Sequence, residues 1–267
     1  MLPNQVPIFI FLMILSICDG KQLLEEEFET DDVTSGLCDE FFHGTPWPLP
    51  YDAKGRGLAR LCQNQIEDGK EGRIVFATMF STTERIPVYT ANTVVLHRDG
   101  KENPRPGSKY WYRVALALCS FDDYTFDPIE SMIGHAEKDE MEQCRKFQAV
   151  TEDYTHNGLN LDRGHLSPNS INEQDLEKQL GTFTLTNAAP QFADFNREVW
   201  RVYECVAQHT ILDYVPGEKV YIITGTHGVA LDKNNNPWWM NGDDIDMDKN
   251  PVKIPGVLLE SILLSRK

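Results

Sequence analysis

Leu161-Asp162-Arg163-Gly164-His165-Leu166-Ser167-Pro168-Asn169 is the stretch from which the chain is best read. It crowds together side chains suited to phosphodiester chemistry. His165 can take a proton near neutral pH. Arg163 can hold a phosphate through two parallel hydrogen bonds. Asp162 can orient a neighbour, and Gly164 is expected to let the backbone turn where a side chain would clash. Alone, the same residues also read as a solvated turn after a strand, so the chemistry depends on what surrounds them.

That context lies about twenty residues on, in Leu185-Thr186-Asn187-Ala188-Ala189-Pro190-Gln191 and the run Phe192–Glu204. From Asn196 the pattern predicts a helix. Asn196, Trp200 and Glu204 are spaced by four, each step turning roughly 40° past a full turn. Asn196 and Glu204 are therefore expected on one stripe, roughly 12 Å apart along the axis. Asn196 reads as a helix cap. Its amide carbonyl also suits a hard cation such as magnesium.

The pair of motifs, Asp162–His165 and the 186–204 run, resembles the DNA/RNA non-specific endonuclease family, and within it the secreted vertebrate branch. The resemblance extends from about Phe76 to Ile254. It implies an α+β, ββα-metal (His-Me finger) nuclease fold with a central antiparallel sheet. It also implies a secreted, Mg2+-dependent enzyme that hydrolyses phosphodiester bonds, with DNA and RNA as substrates. His165 would be the general base. Asn196 would hold one Mg2+ facing the leaving 3′-oxygen, and Glu204 would hold metal-bound waters. Arg163, with Arg85 from the first hairpin, would offset charge on the phosphorane. Asp162 and Asn187 would belong to the substrate-binding loops. None of these groups reads a base edge, so little sequence preference is expected.

The remaining sequence sets the frame. Val6–Cys18 is nearly all apolar, too short to span a bilayer comfortably and typical of a signal-peptide core. Residues 1–20 are accordingly read as a signal peptide, and the protein as secreted with no stable membrane association. Residues 21–65 read as an acidic lead-in followed by a disulfide-stapled strap, 66–255 as the nuclease domain and 256–267 as a divergent tail. The family's pattern stops at Pro255, so the C-terminal part of the fold is expected to be truncated. Five cysteines follow the leader, at 38, 62, 119, 144 and 205. An odd number leaves at least one thiol unpaired or bridged to another chain, and neither the pairing nor the oligomeric state follows from the sequence.

The strands are expected at Arg73–Phe80, at Arg85–Thr90, whose Pro87 suggests an edge or a strand start, and at Lys219–Thr226. Tyr110–Leu118 reads as strand or helix, and Met132–Cys144 as a helix. The Asp232–Asp248 loop lacks the Gly and terminal Glu of an EF-hand and reads as acidic surface. With 25 basic and 41 acidic residues the net charge is −16. That counts against binding nucleic acid through bulk charge, but not against a local basic cleft. The alternative reading is a catalytically impaired secreted protein that keeps the nuclease fold as a binding module.

Overall fold

Alternating and β-branched runs build the scaffold. The computed structural model describes residues 36, 38–44, 47–48, 50, 57–67, 70–106, 113–114, 129–130, 133–134, 145–155, 158–240 and 252–264. Strands β1 (Leu58–Glu67), β2 (Lys70–Ser81) and β3 (Ile86–Val95) form an antiparallel meander. Three two-residue strands follow: β4 (Arg113–Val114), β5 (Ile129–Glu130) and β6 (Ile133–Gly134). Helix α1 (Thr151–Thr155) precedes β7 (Leu161–His165), and helix α2 (Leu176–Gly181) precedes β8 (Ala188–Phe192). A π-helical turn, Phe195–Trp200, runs straight into α3 (Arg201–Tyr214). The chain then adds β9 (Lys219–His227), β10 (Trp239–Met240), β11 (Val252–Lys253) and β12 (Val257–Leu264).

Six strands make the central sheet, in the order β12-β9-β3-β2-β1-β5, antiparallel except where β5 lies beside β1. Strand β3 is interior, between β2 and β9, and both of its faces are covered. Tyr89 and Ala91 pack under the Phe41, Phe42 and Trp47 strap, which a Cys38–Cys62 disulfide ties to β1. Val94, on the other face, packs with Ala207 and Ile211 of α3 and with Val220 and Ile222 of β9. Burial on both faces takes in polar side chains too, Thr90, Asn92 and Thr93 among them. Pro87 marks a strand start rather than an edge, and the β2–β3 register shifts between Met79 and Phe80, where Phe80 pairs with Pro87. Separate from the sheet, β7 pairs antiparallel with β8, and the π turn with α3 follows. The architecture is thus the α+β, ββα-metal type with a central antiparallel sheet.

Two expectations change here. Residues Val257–Leu264, read as a divergent tail of a truncated fold, pair residue by residue with β9 and close that side of the sheet. Part of the strap, from Leu58, is itself strand β1. The signal peptide, the lead-in through residue 35, the Met132–Cys144 helix except for Ile133 and Gly134, and the Asp243–Asp248 run lie outside the described residues, as do Cys119 and Cys144. Among the described residues, no helix is long and apolar enough to cross a membrane.

Arg85 is the third change. Its side chain has no exposed surface and does not reach a cleft. Nη2 donates to Asp153 Oδ2 at 2.9 Å and to Gln148 O at 2.9 Å, while Nε donates to Gln148 O at 3.2 Å. Its backbone is left-handed, with φ of 60°, a conformation held here by those contacts and by Arg85 N donating to Ser81 O. Asp153 also accepts from Arg145 and from Val150 N. The pair therefore bolts the β2–β3 turn to the segment leading into β7. Removing one partner of a buried pair strands the other, at a cost of about 3–5 kcal/mol. Asp153→Ala is expected to lose stability on that scale in denaturant unfolding; a loss under about 1 kcal/mol, the range of an exposed pair, would refute the role.

Candidate active site

The register of β7 against β8 sets the site: Asp162 faces Gln191, Gly164 faces Ala189 and His165 faces Ala188. Gly164 is needed for a close approach rather than for a turn. A Cβ there would come within 2.0 Å of the Gln191 side chain, which lies buried against it. Past His165 the chain is locked by Asn187. Its Oδ1 accepts from Ser167 N at 2.7 Å, and its Nδ2 donates to Ser167 O at 3.0 Å and Thr182 O at 2.9 Å. Fully buried, Asn187 is a positioning residue and not the substrate-binding group expected of it. His165 itself packs edge-on against Phe183, ring centroids 4.9 Å apart.

Asn196 and Glu204 come from the helix, and the π turn aligns them. Eight α-helical residues overshoot two turns by roughly 80°. A π turn takes about one residue more than an α turn, so one wide and one ordinary turn consume about eight residues. Both side chains then face the same cleft, while Trp200 between them is buried against Phe195 and Tyr203.

That cleft, of ≈ 850 Å³, is lined by Arg105, Tyr154, Asp162, Arg163, His165, Asn196, Arg197, Arg201 and Glu204 among others. It unites five of the seven expected residues, leaving out Arg85 and Asn187. Arg163 lies with its guanidinium carbon 5.8 Å from the centre of the Tyr154 ring. Asp162 does not offer itself to a substrate. Its oxygens accept from Arg197 Nε at 2.8 Å and Nη2 at 2.6 Å, and from Asn196 Nδ2 at 3.0 Å. An ionised carboxylate can only accept, so it fixes which end of the Asn196 amide faces it and leaves the carbonyl oxygen as the end available for a cation. Among the described residues, no group of three or more His, Cys, Asp or Glu side chains is set to hold a metal. The oxygen donors present, the Asn196 amide and the Glu204 carboxylate, fit a hard divalent cation that keeps most of its water.

Electrostatics divide the cleft. Burial, reinforced by the cations Arg105 and Arg163, pushes His165 down to about 3, so the imidazole is neutral at ordinary pH. Glu204 is pushed up to about 8, first by burial and then by Glu260, with Arg105 opposing. Glu260, on β12, is buried beside it and is pushed up to about 7 by burial. Thr224 and Tyr203 counter by hydrogen bonding, Thr224 Oγ1 donating to Glu260 Oε2 at 3.1 Å. Sequence reading missed Arg105, Arg197 and Glu260. The only local signal for Arg105 was the proline on either side of it. Glu260 lay in the stretch set aside as tail.

The site is thus a ββα unit with a histidine on its first strand and the Asn196 and Glu204 oxygens on its helix. The sequence profile of the DNA/RNA non-specific endonucleases matches residues 63–267, and the chain belongs to that family. It is similar to the Endonuclease domain-containing 1 protein of Homo sapiens, 31% identical over 221 residues, covering 80% of this chain and 38% of that protein. The Mus musculus protein of the same name is 28% identical over 194 residues, covering 71% of this chain and 34% of that one. The chain thus spans little more than a third of the length of these relatives. A Nostoc sp. protein named Nuclease is 32% identical over 73 residues, 27% of this chain and 26% of that protein. Among solved structures, a chain of the EndoG/EndoGI complex superposes with a TM-score of 0.47 and 15% identity, covering 89% of this chain and 75% of that one.

The two sets of shifts predict opposite pH limbs for the stability of the cation-free protein. Glu204 and Glu260 lie above their ordinary 4.5 when folded, so their share is present below that value and is lost as pH rises through about 7 to 8. His165 lies below its ordinary 6.5, so its share is present above 6.5 and is lost as pH falls toward about 3. Glu260→Gln removes one member of the acidic pair and should flatten the decline on the alkaline side. Thermal melts in EDTA at about pH 5, 6.5 and 8 test this, and an unchanged alkaline slope would contradict the coupling.

Proposed function

We propose that the protein is a secreted, Mg2+-dependent, non-specific endonuclease that hydrolyses phosphodiester bonds of DNA and RNA. The observation that carries this reading is the meeting of Arg163, His165, Asn196 and Glu204 in one cleft, in a chain of this family. Water is the nucleophile. An imidazole nitrogen of His165 takes its proton as the water oxygen bonds to phosphorus, and the bond from phosphorus to O3′ breaks. Depression to about 3 keeps the base unprotonated but weak. A bound phosphodiester would supply negative charge that offsets Arg105 and Arg163, the two causes that act after burial. Arg163 holds the non-bridging oxygens as charge builds on them. Asn196, its amide nitrogen anchored on Asp162, would hold a cation through its carbonyl oxygen, and Glu204 would orient that cation's waters. Such a cation would supply Lewis-acid stabilisation of charge on the leaving oxygen.

The cysteine pair 38–62 fits an oxidising compartment and supports the secreted reading. Plasmid cleavage by the mature protein is expected to stop in EDTA. His165→Ala is expected to slow it by on the order of 10² to 10⁴ and to be partly rescued by added imidazole. Cleavage by His165→Ala at the parent rate, under conditions where EDTA stops the parent, would remove His165 from the mechanism.

A further inference from the structure

Tyr154 touches the supports of two reacting groups without being one of them. It stands on α1, is buried, and lines the cleft. The guanidinium carbon of Arg163 lies over its ring, 5.8 Å from the centre. Its hydroxyl donates to Ala188 O at 3.3 Å, and Ala188 is the β8 residue that faces His165. Burial raises the phenol above its ordinary range, with Arg163 opposing. The ring is therefore neutral and its hydroxyl is a donor.

The pair that takes Arg85 out of the cleft also fixes where this ring stands. Asp153, the residue before Tyr154, accepts from Arg85 Nη2 at 2.9 Å, from Arg145 Nη2 at 2.8 Å and from Val150 N at 2.9 Å. A helix of five residues is not stable on its own, so these bonds hold α1 in place.

The kind of partner matters for an arginine that must meet a phosphate. A carboxylate spends the N–H donors, as Asp162 does with Arg197 Nε and Nη2. An aromatic face attracts the same cation through the ring quadrupole and takes no N–H. It also restricts a long side chain before the ligand arrives, so less rotamer freedom is lost on binding.

We propose that Tyr154 is a positioning residue for Arg163, holding the guanidinium with its ring while its hydroxyl ties that ring to the strand facing His165. The assignment rests on the nuclease reading above. Tyr154→Leu should lower kcat by about 3- to 30-fold with KM little changed, because the arginine is needed most as charge builds on the phosphorane. Tyr154→Phe keeps the ring and should keep most of the rate. In an Arg163→Ala background the ring has nothing to hold, so adding Tyr154→Leu should cost little more. A residue that only supports the fold would lower both backgrounds by the same factor.

The second readout needs no turnover. In nuclear magnetic resonance of the full chain, the Arg163 Nε–H proton is identified by its disappearance in Arg163→Lys. The ring current should shift it upfield in the parent and in Tyr154→Phe, and the shift should be lost in Tyr154→Leu. If the parent cleaves DNA but Tyr154→Leu matches it in kcat, or loses the same factor with and without Arg163, the Tyr154 assignment falls and the nuclease reading stands. If the parent does not cleave, yet the shift is present in the parent and in Tyr154→Phe and absent from Tyr154→Leu, the hydrolytic reading falls and the placement of Arg163 stands. An unshifted Arg163 proton in the parent overturns the assignment whether or not Tyr154→Leu folds.

Discussion

The wide turn at Phe195–Trp200 is the constraint on which the site depends. A regular helix would place Asn196 and Glu204 on one broad stripe but roughly 80° apart. The π turn removes that offset and lets Trp200 drop into the core while its neighbours four residues away stay at the surface of the cleft. Wide turns break the ordinary hydrogen-bond ladder and are found disproportionately at functional sites. Here the distortion is tolerated because Phe195 and Trp200 are anchored in a buried cluster with Leu166, Ala189 and Leu258. The cluster draws on β7's exit, β8 and β12, so the same contacts that fix the turn also fix the histidine strand.

Charge is arranged in two tiers around that cluster. Outside the cleft, pairs such as Arg85–Asp153 and Lys253–Glu84 join distant parts of the chain. Inside it, Asp162 engages Arg197 and Asn196. His165 is kept neutral first by burial and then by the arginines, while Glu204 is raised by burial and by Glu260. Under the proposed function, an anion meeting the arginines and a cation meeting the oxygens would relieve that crowding.

The chemistry-bearing strand and helix were legible in the sequence because their residue types are unusual at close spacing: an Asp-Arg-Gly-His run followed by an Asn eight residues before a Glu. The central strands were legible because β-branched runs carry a strong strand signal, as in Lys219–His227, where buried residues alternate with half-buried ones. Arg85 was misread because an arginine next to a turn looks the same whether it is solvated, buried or catalytic; only its distance to Asp153, 68 residues on, decides. Asn187 was misread for the same reason, since its three bonds join chain segments up to 20 residues apart. The β12 run was set aside because no motif marks it, yet the family's profile extends through it and its eight residues pair with β9. The π turn left no periodic signature, since a single wide turn shifts phase once and never repeats.

The division of labour between His165 and Asn196 is the centre of the account, and cation binding tests it without reference to catalysis. Electron paramagnetic resonance can follow Mn2+ binding to the parent, to Asn196→Ala and to His165→Ala. The account predicts that Asn196→Ala weakens binding by about tenfold or more, while His165→Ala, having lost only a proton acceptor, binds as the parent does. Equal weakening in both variants would make the histidine a metal ligand, and unchanged binding in Asn196→Ala would remove the asparagine from the cation site; either result would contradict the account.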